Sequence, residues 1–139
     1  MTMQQDRARP PRHLPLVAWD ELRRLDPGGI GGLVADWQGA TIPVHGDWEG
    51  EFATEAMELE VGDFIGHVAI LVISTAEQAP ADSKIYIVQP PHAPLSVAVF
   101  RDNDYVAMFE LASSPQEHRA VPAGQCTVVG RVAYLIAPL

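Results

Sequence analysis

The chain has 139 residues, of which 47% are hydrophobic and 19% are charged, a size and composition typical of one globular domain. No apolar run approaches the roughly 18 residues of a membrane-spanning helix, which excludes a helical membrane anchor. The formal net charge of −9 argues against nucleic-acid binding by the globular part, because such affinity depends on clustered lysine and arginine.

Residues 1–13 are polar and carry Arg7, Arg9 and Arg12, without the apolar stretch of a secretory signal. We predict an extended basic arm on a single domain, 14–139, in the cytoplasm or in a virus particle assembled there. Residues 36–83 have the opposite charge, with ten acidic residues and neither lysine nor arginine. Two interpretations are open: solvation of both segments, or docking of the arm on an acidic surface of a neighbouring subunit.

The segment after the arm starts as an extended apolar stretch and continues as a short helix from Trp19 or Asp20 to Leu25. Glycines at 28, 29, 31 and 32 resemble a phosphate loop only superficially, because no Lys-Ser/Thr pair follows, and we interpret them as a flexible connection. Trp19, Trp37 and Trp48 fit either core positions or interface anchors. We favour the core, with Trp19 as an interaction candidate beside the arginines.

Residues 41–52 alternate apolar and polar side chains. A single strand here would place His45, Asp47, Glu49 and Glu51 on one face. These side chains are the candidate ligands if the protein holds a divalent cation. A solvated acidic edge is the commoner alternative, and the glycines between them weaken a strand. We therefore expect neither a metal nor a cofactor.

The second half of the chain contains β-branched and aromatic runs separated by turn residues. They lie at 64–74, 84–89, 95–101, 104–111 and 126–136, after a helix-tolerant stretch at 52–61. The apolar run 68–73 predicts a strand buried on both faces, the turn Asp102-Asn103 predicts a hairpin, and Cys126 fits a small buried hydrophobe. The fold is predicted to be mainly β, with five to seven strands in a small antiparallel sheet or partly open barrel and one or two short helices.

Several short motifs follow one another in a familiar order. They are Pro-Leu-Val-Ala-Trp near the start, a Met-containing turn, a Gly-led apolar strand, a hairpin, a Ser-Ser-Pro loop and a final Val-Val-Gly-Arg-Val-Ala strand. This order resembles the C-terminal self-cleaving domain of the LexA, UmuD and phage-repressor family over most of residues 14–136. The resemblance implies an all-β domain that dimerises and binds partners.

The same resemblance implies that catalysis has been lost. In that family a Ser-Met pair supplies the nucleophile and a lysine on a later strand is the general base. Here the pair falls on Ala56-Met57 and the lysine falls near Val97 or Ala98, so neither a hydroxyl nor an amine is supplied. Lys84 is the only lysine of the chain, and its neighbour Ser83 would point to the opposite face of a strand.

Other catalytic patterns are also weak. The five histidines are scattered, and Ser113 and Ser114 lie in a Ser-Ser-Pro turn rather than a nucleophile elbow. We therefore predict no enzyme but a protein–protein interaction module that acts by dimerisation or partner binding, and a dimer would have an edge strand or the strand 126–136 at its interface. The alternative is a structural subunit of a phage particle, of the decoration or cement type, whose residues 1–19 become ordered on neighbouring subunits.

Overall fold

A computed structural model describes residues 9–55, 58–61, 64–67, 70–76, 79–103, 105–111 and 119–136. The strands are β1 (Arg12–Val17), β2 (Thr41–Val44), β3 (Phe52–Thr54), β4 (Glu58–Val61), β5 (Phe64–His67), β6 (Ile70–Ser74), β7 (Ile85–Gln89), β8 (Ser96–Asp102), β9 (Ala107–Leu111), β10 (Arg119–Pro122) and β11 (Thr127–Ile136). The helices are α1 (Trp19–Arg23), α2 (Ile30–Ala35) and two short 3-10 helices, Pro27–Gly29 and Ala123–Gln125.

Nine of these strands form one mixed sheet in the order β10-β9-β8-β7-β11-β6-β3-β1-β2, and β4 pairs with β5 in a separate hairpin. Neighbours in the large sheet are antiparallel except β1 and β3, which run parallel. The mainly β prediction is confirmed, although the described part of the chain contains more strands than expected, and its sheet ends at β10 and β2 without closing. None of the helices in the described ranges is both long and apolar enough to cross a membrane.

The boundary of the N-terminal arm differs from the prediction. Arg12 and His13 belong to β1, where they lie opposite Val44 and Pro43 of β2. Polar side chains do not prevent this, because strand pairing at a sheet edge uses backbone groups. Residues 1–8, including Arg7, lie outside the described residues.

Residues 41–52 do not form the single strand on which the one-face arrangement of the acidic side chains depended. β2 ends at Val44, and a turn follows in which the Trp48 N–H donates to the His45 carbonyl at 3.0 Å. The helix-tolerant stretch after it forms β3 and β4 in its described residues, because pairing with neighbouring strands overrides a neutral local preference. The predicted run 64–74 divides between β5 and β6, which belong to different sheets.

The glycine-rich segment is helical rather than a flexible connection. A 3-10 turn leads into α2, and Ile30, Leu33 and Val34 pack on the hydrophobic core from one side of that helix. The prediction weighed the glycines and missed this apolar stripe, whose burial compensates for their poor helix propensity. The neighbouring helix α1 is confirmed and buries Leu22.

Alternating side chains give the sheet two apolar faces. On β6, Leu71 and Ile73 face the helices and Val72 faces the other way, and the predicted burial of this strand on both faces is confirmed. The helix-side cluster consists of Val17, Leu22, Ile30, Phe52, Leu71, Ile73, Ile87, Leu95, Val97 and Val99. The opposite face carries an aromatic cluster, Tyr86, Val88, Ala98, Phe100, Phe109, Leu111 and Val121, and a smaller Trp48 cluster, in which Trp48, Tyr134 and others pack on Leu14, Val44 and Val72.

Candidate functional site

The acidic loop 45–51 connects β2 to β3, and its charged side chains take separate partners. The Nδ1 atom of His45 accepts the Asp47 N–H at 3.1 Å, and Glu51 accepts the Thr75 N–H at 2.8 Å. The turn disperses the side chains that a straight strand would have aligned. Across the described ranges, no three His, Cys, Asp or Glu side chains come together as metal ligands. The single strand that would have placed these residues on one face does not form, because β2 ends at Val44.

Glu49 fastens the acidic loop to the sheet. Its Oε1 accepts a hydrogen bond from the Ser74 hydroxyl at 2.9 Å, and its Oε2 accepts one from Arg131 Nη2 at 2.5 Å. The Ser74 hydrogen bond lowers the pKa of Glu49 most, burial opposes this, and the Arg131 charge lowers it further. Glu49 therefore stays ionised and ties the loop to β6 and β11 at once.

The basic arm docks on the acidic loop of its own chain. The Nε atom of Arg9 lies 3.5 Å from Asp47 Oδ1, and Arg12 donates a hydrogen bond to the Gly50 carbonyl. Gly46 permits this approach, because a Cβ there would collide with the backbone of Arg9 and Pro10. Within one molecule, Arg9 thus pairs with an acidic side chain, and Arg12 binds a backbone carbonyl of the same acidic loop.

The tryptophans pack mainly on the core. Trp19 and Trp37 are half-buried against the helix-side cluster, and the indole N–H of Trp37 donates to the Ala40 carbonyl at 2.7 Å. Trp48 stacks on Tyr134 of β11, with ring centroids 4.2 Å apart and planes inclined by 13°. All three tryptophans thus pack against hydrophobic clusters and keep part of their side chains exposed.

The positions that the family resemblance assigned to catalysis are apolar where the structure describes them. Val97 and Ala98 are 6% and 0% exposed on β8 and face opposite sides of the sheet. Ala56 and Met57 lie outside the described residues, as do Ser113, Ser114 and His118. A lysine at 97 or 98 would have to enter one of two hydrophobic clusters.

Ser83 and its neighbour Lys84 lie in a turn before β7 rather than within a strand. Ser83 has a φ of 67°, and its hydroxyl donates to Asp82 at 3.2 Å and accepts from Arg101 Nη1 at 3.1 Å. The N–H of Asp102 donates to Asp82 at 2.9 Å, and this bond is the main reason that the pKa of Asp82 is lowered. These contacts fasten the loop before β7 to the end of β8.

The hairpin between β8 and β9, predicted from Asp102-Asn103, is confirmed, and its tip is locally braced. The Oδ1 atom of Asn103 accepts the N–H groups of Tyr105 and Val106 at 3.0 and 2.8 Å, as in an Asx turn. Tyr105 is 94% exposed and Val106 is 49% exposed. We call residues 102, 103, 105 and 106 the hairpin tip. The sequence signalled the turn but not the apolar surface that the turn presents.

A pocket of about 350 Å³ opens beside β11 on the face of the aromatic cluster. Its lining residues are Thr75, Ala76, Ala79, Tyr86, Val128, Val129, Gly130 and Arg131. The pairing of β11 with β7 shifts between Val128 and Gly130, and such a bulge re-aims side chains and locally disrupts the ladder. Sequence reasoning missed this pocket, because the predicted run 126–136 carries no sign of the bulge.

Cys126, just before β11, is half-buried against the aromatic cluster. Burial raises the pKa of its thiol, so the reactive thiolate is disfavoured. Its packing agrees with the interpretation as a small hydrophobe, and its neighbours Pro122 and Ala123 shape the turn from β10 into β11.

The free edge of β2 contains a proline, which hinders the addition of another strand. The Leu16 N–H donates to the Ala40 carbonyl at 2.9 Å, which makes this a hydrogen-bonded pair. Bonded and non-bonded pairs alternate along an antiparallel ladder, so Pro43, opposite His13, lies at a non-bonded position. Its nitrogen therefore faces the outer edge and supplies no donor to an incoming strand.

The strand 126–136, expected at a dimer interface, is central. β11 is paired on one side with β7 and on the other with β6, so it can meet another molecule only through its side chains. The edge strand at the other end of the sheet, β10, ends at Pro122. Contact through side chains on loops and faces is thus better supported than addition of a strand.

No protein-family model matches the chain, and no curated protein matches its sequence. The functional argument therefore depends on the geometry. Among the residues that the structure describes, three large hydrophobic side chains are exposed: Tyr105 and Val106 at the hairpin tip, and Val128 in the wall of the pocket.

Proposed function

We propose that this protein is a non-catalytic protein–protein interaction module with a LexA/UmuD-like β fold, which acts by dimerisation or partner binding. The observation that carries the proposal is the exposed Tyr105 on a braced turn, with Val106 beside it. Tyrosine supplies a large contact area with few rotatable bonds, and a turn that is already ordered adds little entropy cost on binding. Single surface hydrophobes are common, but two together on a projecting tip favour a contact site.

The surroundings of β8 support a role without catalysis. Val97 and Ala98 each pack in a hydrophobic cluster, and burial of an amine there would require desolvation. Ser83, the described serine next to the only lysine, bonds to Asp82 and Arg101. Neither partner is a general base of the kind that activates a serine nucleophile in the resembled family.

The alternative function is a structural subunit of a phage particle that uses its arm to bind neighbouring subunits. The contacts of Arg9 and Arg12 favour the interaction module instead, because both arginines already engage loop 45–51 of their own chain. The module is expected in the cytoplasm, whereas the alternative would place it in the virion.

The proposal is tested by a photo-crosslinking residue, p-benzoylphenylalanine, placed at position 105 of the full chain in its native cells. Gln38 is the control site, because it is exposed and leads into β2, the edge strand at the other end of the sheet order from β9 and β10. We expect discrete protein adducts from position 105 and none from position 38. Absence of adducts at 105, or the same adducts at both sites, contradicts the proposal.

A further inference from the structure

We infer that the hairpin tip is recognised by a cationic protein surface, in which an apolar pocket receives Tyr105 and arginine or lysine side chains surround that pocket. This inference rests on the proposed function and names the chemistry of the partner. Two observations on the described residues carry it: Tyr105 and Val106 project from the fold, and carboxylates outnumber cations around them. The tip therefore combines an apolar centre with an acidic surround.

The shape of the tip makes it the inserted side of the contact. Tyr105 is 94% exposed and Val106 is 49% exposed, at the end of a hairpin whose turn is held by the Asn103 side chain. Small molecules bind in concave sites that enclose most of their surface, and a projecting turn offers no such site. A larger partner can supply the concavity, where the tyrosine ring is buried and its hydroxyl keeps a hydrogen-bond partner. The occupant is therefore a macromolecule with a pocket.

The negative charge of the tip starts at its base. Asp102 is exposed, and its N–H donates to the Asp82 carboxylate at 2.9 Å. That hydrogen bond is the main cause of the lowered pKa of Asp82, so this second carboxylate stays ionised. Asp104 precedes Tyr105 in the sequence and adds a third negative charge to the segment. The exposed tyrosine thus belongs to an acidic part of the chain.

The cations near the tip do not balance these carboxylates. Among residues 82–84 and 101–110, the acidic residues are Asp82, Asp102, Asp104 and Glu110, and the basic residues are Lys84 and Arg101. The Nε atom of Arg101 lies 3.4 Å from Glu110 Oε2, and its Nη1 donates to the Ser83 hydroxyl at 3.1 Å. Once Arg101 and Glu110 are paired, one lysine remains against three aspartates.

The charge of the whole chain selects the same kind of partner. A net charge of −9 attracts cationic surfaces and repels acidic ones, which disfavours both a nucleic-acid backbone and a second copy of the chain. At the contact, an arginine of the partner can pair with a tip carboxylate and lie over the Tyr105 ring. The buried ring then supplies affinity, while the surrounding charges set the association rate and the choice of partner.

The test measures the adducts that p-benzoylphenylalanine at position 105 forms in the native cells, in two variants that each lose one negative charge. Asp102→Asn removes a carboxylate of the tip and keeps the backbone N–H that binds Asp82. Asp36→Asn is the matched control, because Asp36 is exposed and precedes β2, at the other end of the sheet order from β9. We expect the adduct yield to fall at least about threefold in Asp102→Asn and to stay unchanged in the control. Circular dichroism checks that both variants are folded.

The captured partner supplies a second readout. Mass spectrometry of the adduct locates the crosslinked segment of the partner, and we expect that segment to contain arginine or lysine. The purified partner and the full wild-type chain are then compared in about 50 and about 300 mM NaCl, where screening should raise their Kd at least about fivefold. Equal Kd values at the two salt concentrations, or an Asp102→Asn chain that binds as tightly as wild type, overturn the inference.

The outcomes separate this inference from the proposed function. Discrete adducts whose yield does not depend on Asp102, or an adduct of twice the mass of the 15.1 kDa chain, contradict the cationic partner and leave the interaction module supported. If position 105 forms no adduct at all, both are contradicted. A captured basic surface whose affinity falls with salt and with Asp102→Asn supports both.

Discussion

The two faces of the large sheet are filled in different ways. The helix-side face carries one continuous cluster of ten buried residues, covered by α1 and α2 through side chains such as Leu22 and Ile30. The opposite face carries two separate clusters, and among the described helices only the short 3-10 helix Ala123–Gln125 packs on it, through Ala123. Its polar side chains, among them Ser74 and Arg131, meet the acidic loop, and the pocket opens there. A covered face contributes mainly stability, whereas a face covered by loops leaves room for recognition.

The largest expected effect tests whether both faces belong to one cooperative unit. Phe52 lies in the helix-side cluster and Phe109 in the aromatic cluster, where it makes edge-to-face contacts with Tyr86 and Phe100. Each is 0% exposed, so replacement of either by alanine should lower the free energy of unfolding by about 3–5 kcal/mol. Urea unfolding measures this. A cost under about 1 kcal/mol for Phe109→Ala would mean that the aromatic cluster folds independently of the helix-side cluster.

A smaller effect on stability is expected at Gly130, where β11 packs closely against β6. A Cβ at Gly130 would lie 2.6 Å from Ile73 Cγ2 and 2.8 Å from the Ser74 carbonyl oxygen, and the backbone atom cannot move aside easily. Gly130→Ala should therefore cost about 1–3 kcal/mol, as overpacking usually does. Gly124→Ala is the control, because a Cβ there meets no atom within 4 Å. Equal melting temperatures for the two variants would show that β11 can shift away from β6.

The acidic loop provides a test on the recognition face alone. The folded-state pKa of Glu49 is lowered from 4.5, so its contribution to stability is present above that pH and is lost as the pH falls through the lowered value. At neutral pH, the free energy of unfolding of the wild type should exceed that of Glu49→Gln by about a few tenths of a kcal/mol. The difference is small because solvent screens exposed ion pairs. The difference should disappear in acid, as followed by thermal unfolding across pH.

Ser74→Ala provides the control for that titration. The Ser74 hydrogen bond is the largest cause of the lowered pKa of Glu49, so this variant should reduce the acid-dependent difference in stability between Glu and Gln at position 49. An unchanged difference would mean that Arg131 alone lowers the pKa of Glu49.

The smallest effect is expected at the hairpin tip. Tyr105 is 94% exposed, so Tyr105→Ala should change the stability of the monomer by less than about 0.5 kcal/mol. The measurement uses dilute protein, because self-association adds to apparent stability. A loss of more than about 1 kcal/mol in the free energy of unfolding would mean that the Tyr105 side chain stabilises the fold. The hairpin tip would then no longer differ from the stabilising face of the sheet.

The parts of the fold that the sequence predicted well are those with a local signal. β7, β8 and β11 follow the predicted runs closely, and the Asp102-Asn103 turn forms the expected hairpin. Helix α2 was missed because its glycines outweighed its apolar stripe. For residues 45–51 the sequence left a strand and a solvated loop open, because alternation is visible in sequence, whereas a turn that interrupts it depends on where the flanking segments pair.

The candidate site was less predictable than the fold. Arg9 and Arg12 were recognised as a complement to acidic residues, but the sequence does not tell whether that complement lies in the same molecule. Glu49 and Arg131 are 82 positions apart along the chain, and their contact exists only because β6 and β11 are neighbours. The pocket likewise lies at a bulge in β11, which no residue type in that strand predicts.

Sequence alone determined the β class, the buried centre at Leu71–Ile73 and the main hairpin, because side-chain alternation and turn chemistry act between residues close in the chain. Tertiary structure alone decided the strand order, the attachment of the basic arm to its own acidic loop, and the exposure of Tyr105. These features depend on which distant segments meet. Many pairings satisfy the same local pattern, and only the packing of the whole chain selects one.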